Sequence, residues 1–193
     1  MPAFKFARNA IESEGLQNIA IVSTDCAYER TRVAHMQLGI LSDGAASCIV
    51  SGESDEAQFE ILGEGQATNQ KVLHLTWPDQ KAAGLQFVVN GVRKAVEKAY
   101  HDAMLTRNDV DFLFCPNIRS DSNEFLSRFL RIERKRSYHE GLATYSHVYS
   151  SDCLINLVHS KLWRSKNSQN DGQTLLCLMM GSHSWGAMIL RSK

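Results

Sequence analysis

The chain has 193 residues, 44% hydrophobic and 22% charged, enough apolar material for a sizeable core, and this excludes a disordered chain. Lys+Arg and Asp+Glu balance at 21 each, so no global charge recruits nucleic acid or a membrane surface. No apolar run reaches transmembrane length and no signal-peptide pattern is visible; the five cysteines, with none in a C-x-x-C, point to a cytoplasmic protein with reduced, mostly buried thiols.

The first predicted element is a helix. Phe4, Phe6, Ala7, Ala10 and Ile11 mark its face, Gly15 stops it, and Met1-Pro2 lead in without an N-cap. A buried strand follows over Asn18–Thr24. Gly39–Ala46 then leads into a second strand, Ser47–Ser51, and Gly44-Ala-Ala allows two backbones to pass closely. Phe59–Gly63 reads as a strand. Leu85, Val88, Val89, Val92, Ala95, Val96 and Ala99 recur at helical spacing. Val110–Phe114 is the next strand. Asp121 is expected to cap a helix, with Glu124 completing a capping box and Phe125, Leu126, Phe129 and Leu130 forming its buried stripe. Leu154, Ile155, Leu157, Val158 and Leu162 give the last helix, running to Trp163. Beyond a polar loop, Gln173–Met180 and Trp185–Leu190 form two strands joined by the turn Gly181–Ser184.

The two ends share a plan of helix, buried strand, Gly-containing turn and second strand, over residues 3–51 and 152–191. Apolar strands between helices imply sheets covered on both faces, so the pattern predicts a pseudo-duplicated, layered α/β protein. A plain doubly-wound sheet is the alternative, but neither G-x-G-x-x-G nor a Walker-type loop is present.

The chemistry concentrates at His147 and Asp152, which stand just before the last apolar-periodic run. A base and a group to orient it are two thirds of a nucleophilic acyl-transfer site, and the nucleophile is not evident. Asp152 also fits an ordinary helix N-cap or first-turn residue, and His147 an ordinary loop histidine. Cys115 ends a strand with no recognisable base beside it, which suits a buried small hydrophobe. Cys153 sits at a helix N-terminus, but the neighbouring Asp152 charge works against a thiolate. Cys26 reads as structural and His74 as a strand residue. The seven histidines show no metal spacing, so no metal is expected. Arg128, Arg131, Arg134, Lys135 and Arg136 form either a solvated helix end or a landing site for acidic groups. They lack the interleaved aromatics of a single-strand nucleic-acid site.

Three stretches carry a family resemblance. Gly39-Ile-Leu-Ser-Asp-Gly-Ala-Ala-Ser-Cys-Ile-Val50 resembles the F-G-D-G-A-G-A-A-V-L strand-turn-strand of β-ketoacyl-carrier-protein synthase III enzymes. Gly172–Arg191 is similar to that family's last hairpin, G-G-G-x-T-W-G-x-x-x-x-R, and Asn108–Phe114 to its x-D-I-D-W strand. The resemblance covers nearly the whole chain in order. It implies the thiolase fold, a layered αβαβα arrangement of two similar halves. Residues 1–55 would then be a remnant of the N-terminal half and 56–193 the complete C-terminal half. The opening helix resembles the one that follows the family's nucleophilic cysteine, which would place that nucleophile a few residues before Met1.

The catalytic pattern departs from that of the condensing members. Their H-Q-A-N is replaced by Cys115-Pro-Asn-Ile-Arg119, and their G-N-T-S by His147-Val-Tyr-Ser150. His147, Asp152, Asn156 and Leu157 instead match the H-x-x-x-x-D, x-x-x-N-L motif of the synthase-III-like acyltransferase branch, which transfers acyl groups without losing CO₂. The resemblance implies His147 as base and Asp152 as its orienting partner. It also implies Gly181, Ser182 and His183 as an oxyanion turn, although Ser182 and His183 stand where the family has glycines. No cofactor would be bound; the substrate would be the thioester of an acyl-carrier-protein phosphopantetheine or of coenzyme A. Arg128, Arg131, Arg134, Lys135 and Arg136 would receive that carrier protein or the CoA phosphates. The expected assembly is a homodimer, or a heterodimer with a chain supplying the N-terminal half. The alternative to an acyltransferase is a catalytically silent subunit of a ketosynthase-like complex.

Overall fold

A computed structural model describes residues 2–27, 33, 39–52, 55–76, 79–160 and 172–193. Among the described residues, twelve α-helices and β-strands position the site. They are α1 (Pro2–Glu14), β1 (Asn18–Asp25), β2 (Gly44–Ser51), β3 (Phe59–Thr68), α2 (Lys81–Ala103) and β4 (Phe112–Phe114), followed by α3 (Ser120–Leu130), β5 (Ser137–Tyr138), α4 (Glu140–Tyr145), α5 (Asp152–His159), β6 (Thr174–Met180) and β7 (Ser184–Ser192).

The strands β3-β7-β6-β4-β5 form one mixed sheet. β7 is antiparallel to both β3 and β6, while β4 runs parallel to β6 and β5. Period-2 alternation sends its side chains to two separate cores. Leu113, Leu176, Leu178, Trp185, Ala187 and Ile189 meet α2 and α3 through Val92, Ala95, Val96, Ala99 and Leu126. Phe114, Leu175, Cys177, Met188 and Leu190 face the other way, toward Phe4 and Ala7 of α1, Cys153 and Leu157 of α5, and Val50 of β2. Each fully buried Leu or Ile contributes roughly 1.5–3 kcal/mol, so the covered sheet is the stable part of the molecule.

The second sheet has two strands, β1 and β2, antiparallel with Asn18 opposite Ser51 and Asp25 opposite Gly44. The predicted buried strand at 18–24 is in fact half-exposed. Ile19, Ile21 and Cys48 pack inward, but the opposite face shows Val22 at 68% and Ile49 at 71% exposure. The described residues thus supply four layers, αβαβ, with the outer face of β1–β2 uncovered.

Several local expectations are corrected. Phe6 is 69% exposed because it lies two residues, about 200° of helix rotation, from Phe4. The box at Asp121 and Glu124 does not form. Asp121 instead pairs with Arg119 (Oδ2 to Nη2, 2.6 Å) and Glu124 with Arg128 (2.6 Å), and α3 begins at Ser120. A capping box does form at Thr106 and Asp109, winding 107–109 into a 3₁₀ turn and delaying β4 to Phe112. Pro116, with no N–H, follows two residues after its end. His74 lies in a 3₁₀ turn, Gln70–His74, rather than a strand. α5 ends at His159; the expected continuation through Leu162 and Trp163 falls outside the described residues.

Candidate functional site

Asp152 is the first residue of α5, but its side chain does not cap its own helix. It turns back into the preceding loop. Oδ2 lies 2.6 Å from His147 Nδ1 and accepts the Asn117 N–H at 2.8 Å, while Oδ1 accepts the Val148 N–H at 2.6 Å. The carboxylate is 2% exposed and His147 is 9% exposed, so burial of the charge is offset by three converging donors. Facing that carboxylate, Nδ1 is the nitrogen that carries the proton, which leaves Nε2 with its lone pair. Among the described residues Nε2 has no hydrogen-bond partner.

Two further segments hold this pair. The His147 N–H donates to Ile40 O at 2.9 Å and its carbonyl accepts the Ser42 N–H at 3.0 Å. The Gly39–Gly44 stretch, recognised in the sequence for other reasons, is therefore a brace for the histidine. The close approach foreseen at Gly44 is made to a side chain: a Cβ there would meet Val148 Cγ1 at 2.4 Å. Below the dyad, Asn117 and Asn156 exchange side-chain amide bonds at 3.0 Å each, and Asn156 Nδ2 also donates to Cys115 O at 3.1 Å. Both amides are buried, and this fixes α5 to the end of β4.

Asn117 was missed in the sequence as a site residue. Its contribution to Asp152 is a backbone N–H from 35 positions away, and no side-chain pattern reports such a bond. Ser23, Asp25, Ser150 and Ser151 were also missed. Their hydroxyls and carboxylate connect β1 to the loop after His147 through contacts of 2.6–2.9 Å.

The turn Gly181–Ser184 lies at the same end of the sheet as Asn117, because β6 runs parallel to β4 with Cys177 opposite Phe114. No hydrogen bond joins Gly181, Ser182 or His183 to the dyad. The Gly181 N–H closes the hairpin on Ser184 O at 2.8 Å, Ser182 Oγ lies 3.0 Å from His183 Nδ1, and His183 O accepts the Asn69 N–H at 2.9 Å. The basic cluster lies at the other end of the sheet. α3 leads away from the dyad, and Arg136 Nε donates to Asp111 O at 2.8 Å, just before β4 starts. Part of its charge is met locally: Arg128 and Arg134 face Glu124 at 2.6 and 4.0 Å, and Lys135 faces Glu133 at 2.8 Å. Arg131 terminates α3 in a left-handed conformation.

A cleft of about 660 Å³ is lined by Ile40, whose carbonyl accepts the His147 N–H, but by neither member of the dyad. Val33, Ile40, Ile118 and Leu142 give it apolar walls, Ser146 adjoins His147, and Arg119, itself ion-paired with Asp121, stands at its edge. A larger cleft of about 910 Å³ lies between α1, β3 and α2 and contains none of the site residues foreseen in the sequence.

Three thiols, those of Cys48, Cys115 and Cys177, are poor nucleophiles. Burial pushes Cys115 up to about 12. Cys177 is held well above the ordinary thiol range by the hydrogen-bonded Cys153 and by burial, and burial also raises Cys48. Cys115, Cys153 and Cys177 are buried, whereas Cys26 is exposed. In native protein a disulfide reagent is therefore expected to label Cys26 first, with Cys115, Cys153 and Cys177 reacting only in denaturant. Fast native labelling at Cys115 would contradict the burial assigned to it.

No protein-family model matches the chain, and no curated protein matches it. Solved structures do. The acyltransferase ChlB3 is similar over 99% of this chain and 64% of its own, with a TM-score of 0.79 at 18% identity. The 3-oxoacyl-[acyl-carrier-protein] synthase III of Aquifex aeolicus VF5 gives 98%, 63%, 0.74 and 18% for the same quantities. A variant of OleA from Xanthomonas campestris gives 98%, 61%, 0.72 and 13%. The chain spans a little under two thirds of the length of these structures. The fold is thereby that of the thiolase-like α/β proteins, here with one sheet of five mixed strands.

Proposed function

We propose that this chain is an acyltransferase, or the larger part of one, that moves an acyl group from a coenzyme A or acyl-carrier-protein thioester to a small acceptor without loss of CO₂. The observation that carries this reading is the buried His147–Asp152 pair at 2.6 Å, with Nε2 left unpartnered among the described residues. In this reading Nε2 takes the proton of the attacking hydroxyl, amine or thiol, and Asp152 holds the tautomer and stabilises the imidazolium. The cleft beside Ile40 and Leu142 takes the thioester's extended arm, with Arg119 at its wall. Gly181, Ser182 and His183 stand at the same end of the sheet; the Gly181 N–H closes the hairpin, and the amides of Ser182 and His183 serve a developing oxyanion. Arg128, Arg131, Arg134, Lys135 and Arg136, at the far end, are a secondary contact for an acidic carrier.

Residues 1–55 and 56–193 are read as the two unequal halves of such a protein. The open face of β1–β2, with Val22 and Ile49 exposed, supports a partner or further segment that completes the smaller sheet and brings the nucleophile. Light scattering on purified chain is expected to give a mass above the 21.6 kDa of one copy. A clean monomer would count against the partner.

A silent subunit is the second reading, and the raised thiols at Cys48, Cys115 and Cys177 favour it. Intact-mass measurement after incubation with acyl thioesters, with and without a co-expressed partner, separates the two readings. In the assembled protein His147→Ala is expected to lower acyl transfer about 10²- to 10⁴-fold. Unchanged turnover would remove His147 from the mechanism.

A further inference from the structure

We propose that Tyr149 is a positioning residue for His147: its ring roofs one side of the imidazole, and the contacts around it force the backbone into the conformation that puts it there. The functional part of this inference rests on the reading of His147 as a base.

Tyr149 stands at φ +43°, a region that glycine and asparagine enter readily and bulky residues rarely do. The bend is imposed from both sides. Before it, the Val148 N–H is tied to Asp152 Oδ1 at 2.6 Å, and the Ser151 N–H closes on Val148 O at 2.9 Å. After it, Ser150 Oγ donates to Asp25 Oδ2 at 2.6 Å, and Ser23 Oγ lies 2.7 and 2.9 Å from the hydroxyls of Ser150 and Ser151. With its neighbours fixed, residue 149 must take the turn.

The side chain draws little stability of its own from this place. Tyr149 is 40% exposed, and its phenol has no hydrogen-bond partner among the described residues. The ring it does meet is His147, with centroids 5.1 Å apart and planes tilted by 39°. A strained aromatic whose ring neighbour is the candidate base is the kind of strain that gathers at working sites. Beside an imidazole, an aromatic face favours the protonated ring that a base becomes during proton transfer, and its bulk narrows the approach to that ring.

The test is to compare Tyr149→Gly, Tyr149→Asn and Tyr149→Phe with the parent chain. Diethyl pyrocarbonate modification of His147, located by peptide mapping, is followed alongside thermal melting. Glycine and asparagine suit the backbone, so those variants are expected to melt no lower than the parent while His147 is modified several-fold faster. Phenylalanine keeps the ring and should hold the parent rate. An unchanged rate in both the glycine and asparagine variants, or an equal acceleration in the phenylalanine variant, would overturn the roof. A lower melting temperature in both glycine and asparagine variants would overturn the strain. None of these readouts uses an acyl donor, so they stand or fall apart from the proposed transfer.

Discussion

Replacing Asp152 by Ala is expected to cost about 3–5 kcal/mol, a large part of the stability of a domain this size. The carboxylate is 2% exposed and is the meeting point of three segments. It receives the imidazole from the loop at 147, the amide at 148 and the amide at 117 after β4. Removing it leaves two backbone N–H groups and a ring N–H facing a buried void. Each buried orphan of that kind costs about 1–3 kcal/mol, and water cannot reach all three without opening the loop. Asp152→Asn keeps the shape but not the chemistry. Both carboxylate oxygens accept N–H groups, so whichever way the amide turns, its NH₂ meets a donor. It is expected to destabilise too, by less. Urea unfolding midpoints read both variants. A loss under about 1 kcal/mol for the alanine would mean that the carboxylate does not hold the loop together.

The second large effect lies far from the dyad. Gly65 of β3 faces α2 so closely that a Cβ there would stand 1.9 Å from Ala95 O and 2.6 Å from Ala99 N. Both obstacles are backbone, so no rotamer change relieves them. Gly65→Ala must push α2 away from β3, and the small residues Ala95 and Ala99 that permit the contact are themselves buried. Overpacking in a core costs about 1–3 kcal/mol when side chains can yield. Here they cannot, and at least the upper end of that range is expected, with poor recovery of folded protein. Gly15→Ala is the control. It has a positive φ of 69° but nothing within 4 Å, so it carries only the left-handed backbone penalty of about 1–2 kcal/mol. Thermal melts should rank the two clearly; equal losses would show that the β3–α2 contact is looser than its geometry.

What could be read from the chain beforehand followed the strength of each local signal. The periodicity of α2 and the apolar run of β6 are long and uninterrupted, and both elements appear where foreseen. The capping box at Asp121 looked equally clear, yet Arg119 and Arg128 took its two carboxylates into ion pairs. No one-dimensional pattern shows that competition. Burial of β1 was misjudged for a different reason: an apolar strand signals what a neighbour could cover, not whether a neighbour is there. At the site, His147 and Asp152 are five positions apart and could be found by motif. Their supports are backbone groups of Ile40, Ser42 and Asn117, contributed by distant segments whose side chains carry no mark of the role. The positive φ of Tyr149 was equally hidden, since the bonds on either side of it run to Asp152, Asp25 and Ser23, which no local pattern connects.

The most direct measurement concerns a single proton. Long-range ¹⁵N–¹H correlation spectra of His147, assigned with His147→Ala, report which ring nitrogen carries hydrogen in the neutral form. A proton on Nδ1, held by the Asp152 carboxylate 2.6 Å away, with Nε2 bare, is the arrangement a base requires. A proton on Nε2 with Nδ1 bare would contradict it, because the carboxylate would then face a lone pair and the ring would have no electron pair free to accept.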